Sequence, residues 1–216
     1  MGDIFREIDE ELRQERFERL WKRYGKFIIG AAVAVVLIVG GYKFWEYYSL
    51  KQKEKSSVQY WSALQLLNDG KTEDAAALFG SLVKNGTSGY GVLAKFQRIA
   101  ILADKGDVLS AIAMYDEISG DSNINETLRD AATINSVALG LDQEGVQKPV
   151  LEKKLKKILN KKGAWESSAR ELMGLISIKF GDVQMAQKHF KKISDDSTAP
   201  QSMRLRASQV LAAINR

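Results

Sequence analysis

Hydrophobic and polar positions follow three different patterns along this chain. From Phe27 to Tyr42, sixteen consecutive residues carry no charge. Before that run, Phe5, Ile8 and Leu12 recur at helical spacing on one stripe, and Phe17, Leu20, Trp21 and Tyr24 on a second, displaced one. After Tyr48, apolar residues return every three or four positions in stretches separated by glycines, and proline occurs only at Pro149 and Pro200. That periodicity belongs to amphipathic helices, and long stretches free of Pro and rich in Ala, Leu, Lys, Glu and Gln favour them intrinsically. The pattern predicts an all-α chain in three parts. Residues 1–24 form a charged, amphipathic cytoplasmic segment, 25–48 a transmembrane anchor, and 49–216 a domain of shorter amphipathic helices.

The apolar run admits three readings, and the first two fail. A cleaved signal peptide has a short basic leader and small residues after its apolar part; here 26 residues precede the run and GGYKFWEYY follows it. A core helix of a soluble domain shows one polar face, and Phe27 to Val39 has none. A retained single-pass anchor is left, although sixteen residues fall short of the roughly 20 that a span needs. The flanks supply the difference. Tyr24 and Lys26 stand at one end, and Tyr42, Phe44, Trp45, Tyr47 and Tyr48 at the other, as in the aromatic belt of a bilayer interface. Lys43 can carry its ammonium outward along its alkyl stem. The segment from Gly25 to Trp45 then spans about 31 Å at 1.5 Å per residue. Tyr24, Lys26, Lys43 and Trp45 are the predicted anchor residues, in contact with membrane lipid. Six Lys/Arg lie within 15 residues before the run and four within 15 after it. Basic residues near a span resist translocation, so the N-terminus is expected in the cytoplasm. The bulk of the chain then lies across the membrane, in the periplasm if the source is a Gram-negative bacterium.

Beyond the anchor a motif repeats. GKTEDAAALFGSL begins at Gly70, GDVLSAIAMYDEI at Gly106 and GDVQMAQKHFKKI at Gly181. Five residues after each Gly stand Ala75, Ala111 and Ala186; nine after, Phe79, Tyr115 and Phe190; twelve after, Leu82, Ile118 and Ile193. The copies are 36 and 75 residues apart, about one and two periods of a helix-pair repeat. In this reading the Gly closes one helix through a turn of positive φ, and Thr72 or Asp107 caps the next. The Ala permits close approach of two helices, and the aromatic fills the space between neighbouring pairs. The pattern resembles the second helix of a tetratricopeptide repeat, with its A-x3-F spacing. The first-helix signature W-x2-L-G-x2-Y is absent, leaving only Trp61, Leu64 and Leu67 before Gly70. One more pair is expected from helices near 124–141 and 149–161; with Gly145 as its turn, Lys154 falls in the aromatic slot. A closing helix near 198–214, with Thr198 as its cap and Pro200 in its first turn, would cover the last pair. The predicted architecture is a degenerate α-solenoid of four unequal helix pairs and a cap.

Composition narrows the chemistry. The chain has no Cys, which excludes disulfides, thiolate metal sites and Cys nucleophiles. It contains no glycine-rich phosphate loop, H-E-x-x-H, nucleophile elbow or acidic metal cluster. The single histidine, His189, has no nucleophile near it in sequence and reads as a helix-surface or groove residue. No catalytic, cofactor-binding or metal-ligating residue is therefore expected, and no cofactor, small-molecule substrate or enzymatic activity. The net charge is +5, all of it carried beyond Tyr48 by 24 Lys/Arg against 19 Asp/Glu, too small an excess for a nucleic-acid partner. In KPVLEKKLKKILNKKG, Val150, Leu151, Leu155, Ile158 and Leu159 share one face, while Lys153, Lys154, Lys156, Lys157, Lys161 and Lys162 occupy the rest. Such a helix either touches anionic lipid or an acidic partner, or is a repeat helix with a solvated lysine face. The lead-in segment is equally open between a cytoplasmic docking helix and an interfacial approach to the span.

Several local features together resemble a known family. A charged N-terminus leads through Gly25-Lys26 into one span followed by aromatics. Tyr90-Gly91 precedes Leu93-Ala94, and Lys105-Gly106-Asp107 follows. Gly163-Ala164-Trp165 precedes Arg170-Glu171-Leu172 and Gly174, and Gly181-Asp182 with Ala186 comes last. In this order they resemble the ancillary SecYEG translocon subunit family, although the lead-in is longer and more charged than that family's pattern. The resemblance implies an inner-membrane scaffold that associates with the SecYEG translocon. It would link translocated chains to a membrane-anchored periplasmic chaperone of prolyl-isomerase-like type. The residues alone leave open a tetratricopeptide-like adaptor for assembly of another envelope or cell-division complex.

Overall fold

The structure, a computed structural model, describes the backbone of residues 2–161 and 163–214, with the side chains of these residues except 2–17, 19, 20, 32 and 88. The apolar stripes through Phe5, Ile8, Leu12, Phe17 and Leu20, and the side chain of Lys162, thus lie outside the described residues. All regular structure among the described residues is helical: α1 Gly2–Asn68, α2 Thr72–Asn85, α3 Ser88–Asp104, α4 Val108–Gly120, α5 Glu126–Leu141, α6 Lys148–Leu159, α7 Glu166–Lys179, α8 Val183–Ser194 and α9 Gln201–Ile214. The chain divides into two units, Met1–Lys55 and Ser56–Arg216.

In the first unit, α1 contains a segment long and apolar enough to cross a membrane. Phe27, Val36, Leu37 and Ile38 are all more than two-thirds exposed by the protein itself. Such surface is costly to leave in water, and a helix apolar on every face has the pattern of a membrane span.

In the second unit, Tyr60 and Ala63 in the last turns of α1 pack on Phe79 and Ala75 of α2, and the pairs α3 with α4, α5 with α6 and α7 with α8 follow; α9 packs on α8. Four glycines, Gly70, Gly106, Gly145 and Gly181, have φ between 70° and 95° and sit at the turn inside each pair. At three of them the backbone closes in the same way. Gly70, Gly106 and Gly181 donate to Leu67, Ala103 and Ile178, and the next residue donates to Leu66, Leu102 and Ser177. This is the Schellman arrangement, which satisfies carbonyls left over at the helix end and needs a left-handed residue. The following residue is then the N-cap: Asp107 accepts from the Ser110 N–H and Asp182 from the Met185 N–H. In the first pair Lys71 holds that place without a side-chain bond. Thr72 is already the first helical residue, so it does not cap α2 as its sequence position had implied.

The third pair differs by an insertion. Its helix α6 begins three residues after Gly145, whereas α2, α4 and α8 begin two after theirs. The buried positions slip by one, and Leu151, Leu155 and Ile158 take the places of the Ala, the aromatic and the aliphatic residue. Lys154, assigned to the aromatic slot from the sequence, stands one residue earlier. Leu151 is larger than the alanine it replaces, and α5 offers Gly140 opposite; a Cβ there would lie 3.4 Å from Leu151.

The core is four successive clusters rather than one. Ala63, Ala75, Phe79 and Leu82 join Ala94 and Ile101 of the next pair. Ile99, Ala111, Tyr115 and Ile118 join Ala132. Val137, Leu151, Leu155 and Ile158 join Ala169 and Ile176. Ala186, Phe190 and Ile193 meet Ala199 and Ala207 at the cap. Each pair thus covers its inner surface with the helix that follows, as in a stacked array. The aromatics also pack within their own pair. The Phe79 ring lies 5.6 Å from Tyr60, and the Tyr115 ring 5.4 Å from Phe96. Burial and the Asp104 carboxylate push the Tyr115 phenol up from its ordinary pKa.

Both edges of the array are stitched between pairs. At the glycine-turn edge Lys105 pairs with Glu73 at 2.5 Å and Lys148 with Asp182 at 3.4 Å, and Lys179 donates to the Leu141 carbonyl. At the opposite edge the Thr87 N–H donates to Ser56 Oγ at 3.1 Å and the Trp165 indole N–H to the Thr127 carbonyl at 2.9 Å. The closing helix starts at Gln201, and Pro200 supplies the carbonyl that accepts from Met203 and Arg204. The Thr198 hydroxyl turns back to donate to Asp196 at 2.6 Å instead of capping α9.

Candidate interaction surfaces

Of the residues expected from the sequence to anchor the span, Tyr24 and Trp45 are exposed, as are Lys26 and Lys43. The Lys43 ammonium reaches Glu46 at 2.7 Å, on the C-terminal side and away from the apolar run. The Lys51 ammonium lies 4.9 Å over the Tyr47 ring, and the Arg23 guanidinium 5.7 Å from that of Tyr24. Cations and aromatics therefore meet at both ends of the apolar segment, the pairing of polar tip and apolar body suited to a water–lipid boundary.

The repeat residues Ala75, Phe79, Ala111, Tyr115, Ala186 and Phe190 are all buried. They face the array interior and are unavailable to a partner, which shifts attention to the clefts between pairs.

Two clefts differ in charge. One, of about 220 Å³ between α2, α3 and α4, carries Lys95 and Arg98 against Glu117 and Asp121 over an apolar floor. The other, of about 190 Å³ between α4, α5 and α6, carries Arg129, Lys154, Lys157 and Lys161 against Asp130 alone. Lys154 is fixed at the wall of this second cleft. Its ammonium donates to both Asp116 oxygens at 2.7 Å and to Ser136 Oγ at 3.0 Å, and the Ser136 hydroxyl donates to Asp116 at 2.6 Å. Three helices are joined by this node. Lys161 pairs with Glu126 at 2.7 Å and Asp130 at 3.2 Å. The bond with Glu126 holds the Lys161 ammonium above its usual pKa, and the same bond pulls the Glu126 carboxyl down. Lys148 and Lys156 both reach Glu152. The lysine-rich helix is thus neither freely solvated nor wholly neutralised.

His189 is not the surface or groove residue its sequence suggested. It is 9% exposed, and neither ring nitrogen has a hydrogen-bond partner. Burial lowers its pKa, aided by Arg170, Lys192 and Lys188; Glu152 acts in the opposite direction. One signal pointed to burial: His189 immediately precedes Phe190, as Leu78 precedes Phe79 and Met114 precedes Tyr115. Among the described residues, no group of three His, Asp or Glu side chains could hold a metal ion.

The sequence model of the family described as Tetratricopeptide repeat-like domain matches residues 18–211. The chain is 28% identical over 185 residues to an "Ancillary SecYEG translocon subunit" of Escherichia coli (strain K12), covering 83% of this chain and 84% of that protein. It is 25% identical over 192 residues to an "Ancillary SecYEG translocon subunit" of Haemophilus influenzae (strain ATCC 51907 / DSM 11121 / KW20 / Rd), covering 86% and 88%. No solved structure matches the chain.

Proposed function

The chain belongs to the tetratricopeptide repeat-like domain family across residues 18–211, and from that premise we propose that it is a non-catalytic, membrane-anchored ancillary subunit of a Sec-type protein translocon. The observation that carries this reading is the reach of the likeness. Residues 56–216 make up about three quarters of the chain, whereas the two translocon subunits align with 83% and 86% of it. The similarity therefore extends into the anchor unit and is not a generic likeness between helical repeats. Tyr24, Lys26, Lys43 and Trp45 hold the span at its two interfaces, and the array acts as a scaffold beside the translocon. The finer part of the reading, hand-over of emerging chains to a membrane-anchored periplasmic chaperone, draws on the family resemblance.

Gentle detergent extraction of the full chain, followed by affinity capture and photocrosslinking from residues of the span, tests the association. Recovery of translocon subunits is expected. Their absence from both experiments would overturn the reading in favour of a different envelope complex. Orientation is tested separately. Because the chain has no Cys, a single Ser208→Cys substitution should react with a membrane-impermeant maleimide on intact spheroplasts. Gln14→Cys should react only after lysis; the reverse pattern would invert the topology derived from the basic flanks.

A further inference from the structure

The cleft between α4, α5 and α6 has more positive charge than its own carboxylates neutralise. Four cations line it, and Asp130 is the one carboxylate among its lining residues. Lys154 is matched by Asp116 beneath it, and Lys161 by Glu126 and Asp130. Among the described residues Lys157 makes no ion pair, nor does Lys153 one turn before it. Arg129 makes no ion pair either, although Glu126 lies within electrostatic range of it. The hydroxyls in the wall are already used: Thr133 donates to the Arg129 carbonyl at 3.0 Å and shares a 2.7 Å bond with Ser119. Recognition there falls to the cations.

The surroundings select the kind of anion. The cleft lies at the edge formed by the end of α4, the start of α5 and the end of α6. The large apolar side chains exposed on these helices, Leu109 and Val150, lie at their opposite ends. A lipid headgroup would bring acyl chains with nothing apolar to receive them. No aromatic ring lines the cleft, so a nucleic acid would find phosphate contacts without a stacking surface. Carboxylates already pair with Lys154 and Lys161 on either side, which shows the local geometry suits that group. We propose that this cleft binds an acidic polypeptide segment, whose carboxylates bridge Arg129 and Lys157. It would take such a segment whichever membrane complex the anchor joins.

The test uses the full chain in phosphatidylcholine nanodiscs and a fluorescein-labelled peptide of alternating Glu and Gly at low salt. Saturable binding is expected, weakening as salt shortens the electrostatic range to about 10 Å at 0.1 M. Lys157→Gln and Arg129→Gln should each weaken binding roughly two- to fivefold, the range of a partly screened ion pair. A Gln–Gly peptide should not bind, and Lys188→Gln on α8 should change nothing. Helical circular dichroism checks that each variant is folded, and the exposed Lys157 carries the test alone if Arg129→Gln unfolds. Absence of binding, or affinity indifferent to both substitutions, overturns the proposal. Displacement of the peptide by phosphatidylglycerol vesicles through Lys157 also overturns it, by assigning the cleft to lipid.

Discussion

The third and fourth helix pairs solve one problem in opposite ways. Each places a polar residue where the first two pairs have Leu78 and Met114, directly before the large buried side chain of the second helix. In the third pair this residue is Lys154, and its ammonium is met by Asp116 and Ser136. In the fourth it is His189, whose two ring nitrogens have no partner. A stacked array tolerates such differences because each pair packs mainly against its neighbours, so a local compromise is not transmitted to the whole. The pairs differ also in how the large residue is housed. Leu155 fills the third, while Phe190 fills the fourth against Gly174.

That last contact gives the largest expected effect. A Cβ on Gly174 would stand 2.6 Å from Phe190 Cε2, and the ring is only 1% exposed and has nowhere to move. Gly174→Ala should therefore destabilise the array by about 1–3 kcal/mol, the range for overpacking a dense core. Combining it with Phe190→Leu, which gives the fourth pair the side chain of the third, should recover part of that loss relative to the sum of the single changes. Urea unfolding of the four proteins reads this directly. Strict additivity would show that the two residues do not meet.

The Lys154 node comes next. Asp116→Ala removes three charge-assisted bonds, two from Lys154 and one from Ser136, and leaves the ammonium half-buried without a counter-ion. Hydrogen bonds to charged groups are worth about 1.5–3 kcal/mol. The Asp116 side chain is 42% exposed, so solvent screens part of this, and a loss of about 1–2 kcal/mol is expected. Lys154→Met on the same background should restore stability, because the uncompensated charge is gone. If Asp116→Ala alone costs nothing, the node is a surface contact and the contrast with His189 loses its meaning.

These positions also explain what could be read from sequence. The turn glycines were legible because positive φ restricts residue choice, and the Ala/aromatic spacing because close approach and ring volume do so as well. The third pair was placed, but its register was not. The α5–α6 turn carries extra residues, and one of them shifts Leu151, Leu155 and Ile158 away from a count made from Gly145. The cleft was visible only as a lysine-rich helix, since Arg129 comes from α5 and the neutralising Asp116 lies 38 residues before Lys154. The hydroxyl at Thr198 was misread for a different reason: Asp196, two residues earlier, is the stronger local acceptor for it and also for the Thr198 N–H.

His189 offers the smallest effect and the sharpest contrast. Its folded pKa lies below the ordinary value of 6.5, so the fold favours the neutral ring. Stability from this residue is fully present above the unfolded value and is lost as pH falls through the folded one. The chain's one histidine lies in the fourth pair, so the third pair should be indifferent to that window. Glu126, bonded by Lys161, and Asp196, which accepts from Thr198, are both lowered from ordinary values of 4.5 and 3.8 and lose their contributions only at still lower pH. Hydrogen-exchange protection of α8 and α9, taken relative to the intrinsic exchange rate at each pH, should therefore fall below about pH 6.5 before that of α2 to α4. His189→Met should abolish the change. It should also stabilise the protein at pH 8 by about 1 kcal/mol, because a buried polar group without a partner is replaced by an apolar one. The methionine would repeat, in the fourth pair, what Met114 already does in the second. A pH response that survives in His189→Met would place its origin elsewhere and remove His189 as the counterpart of Lys154.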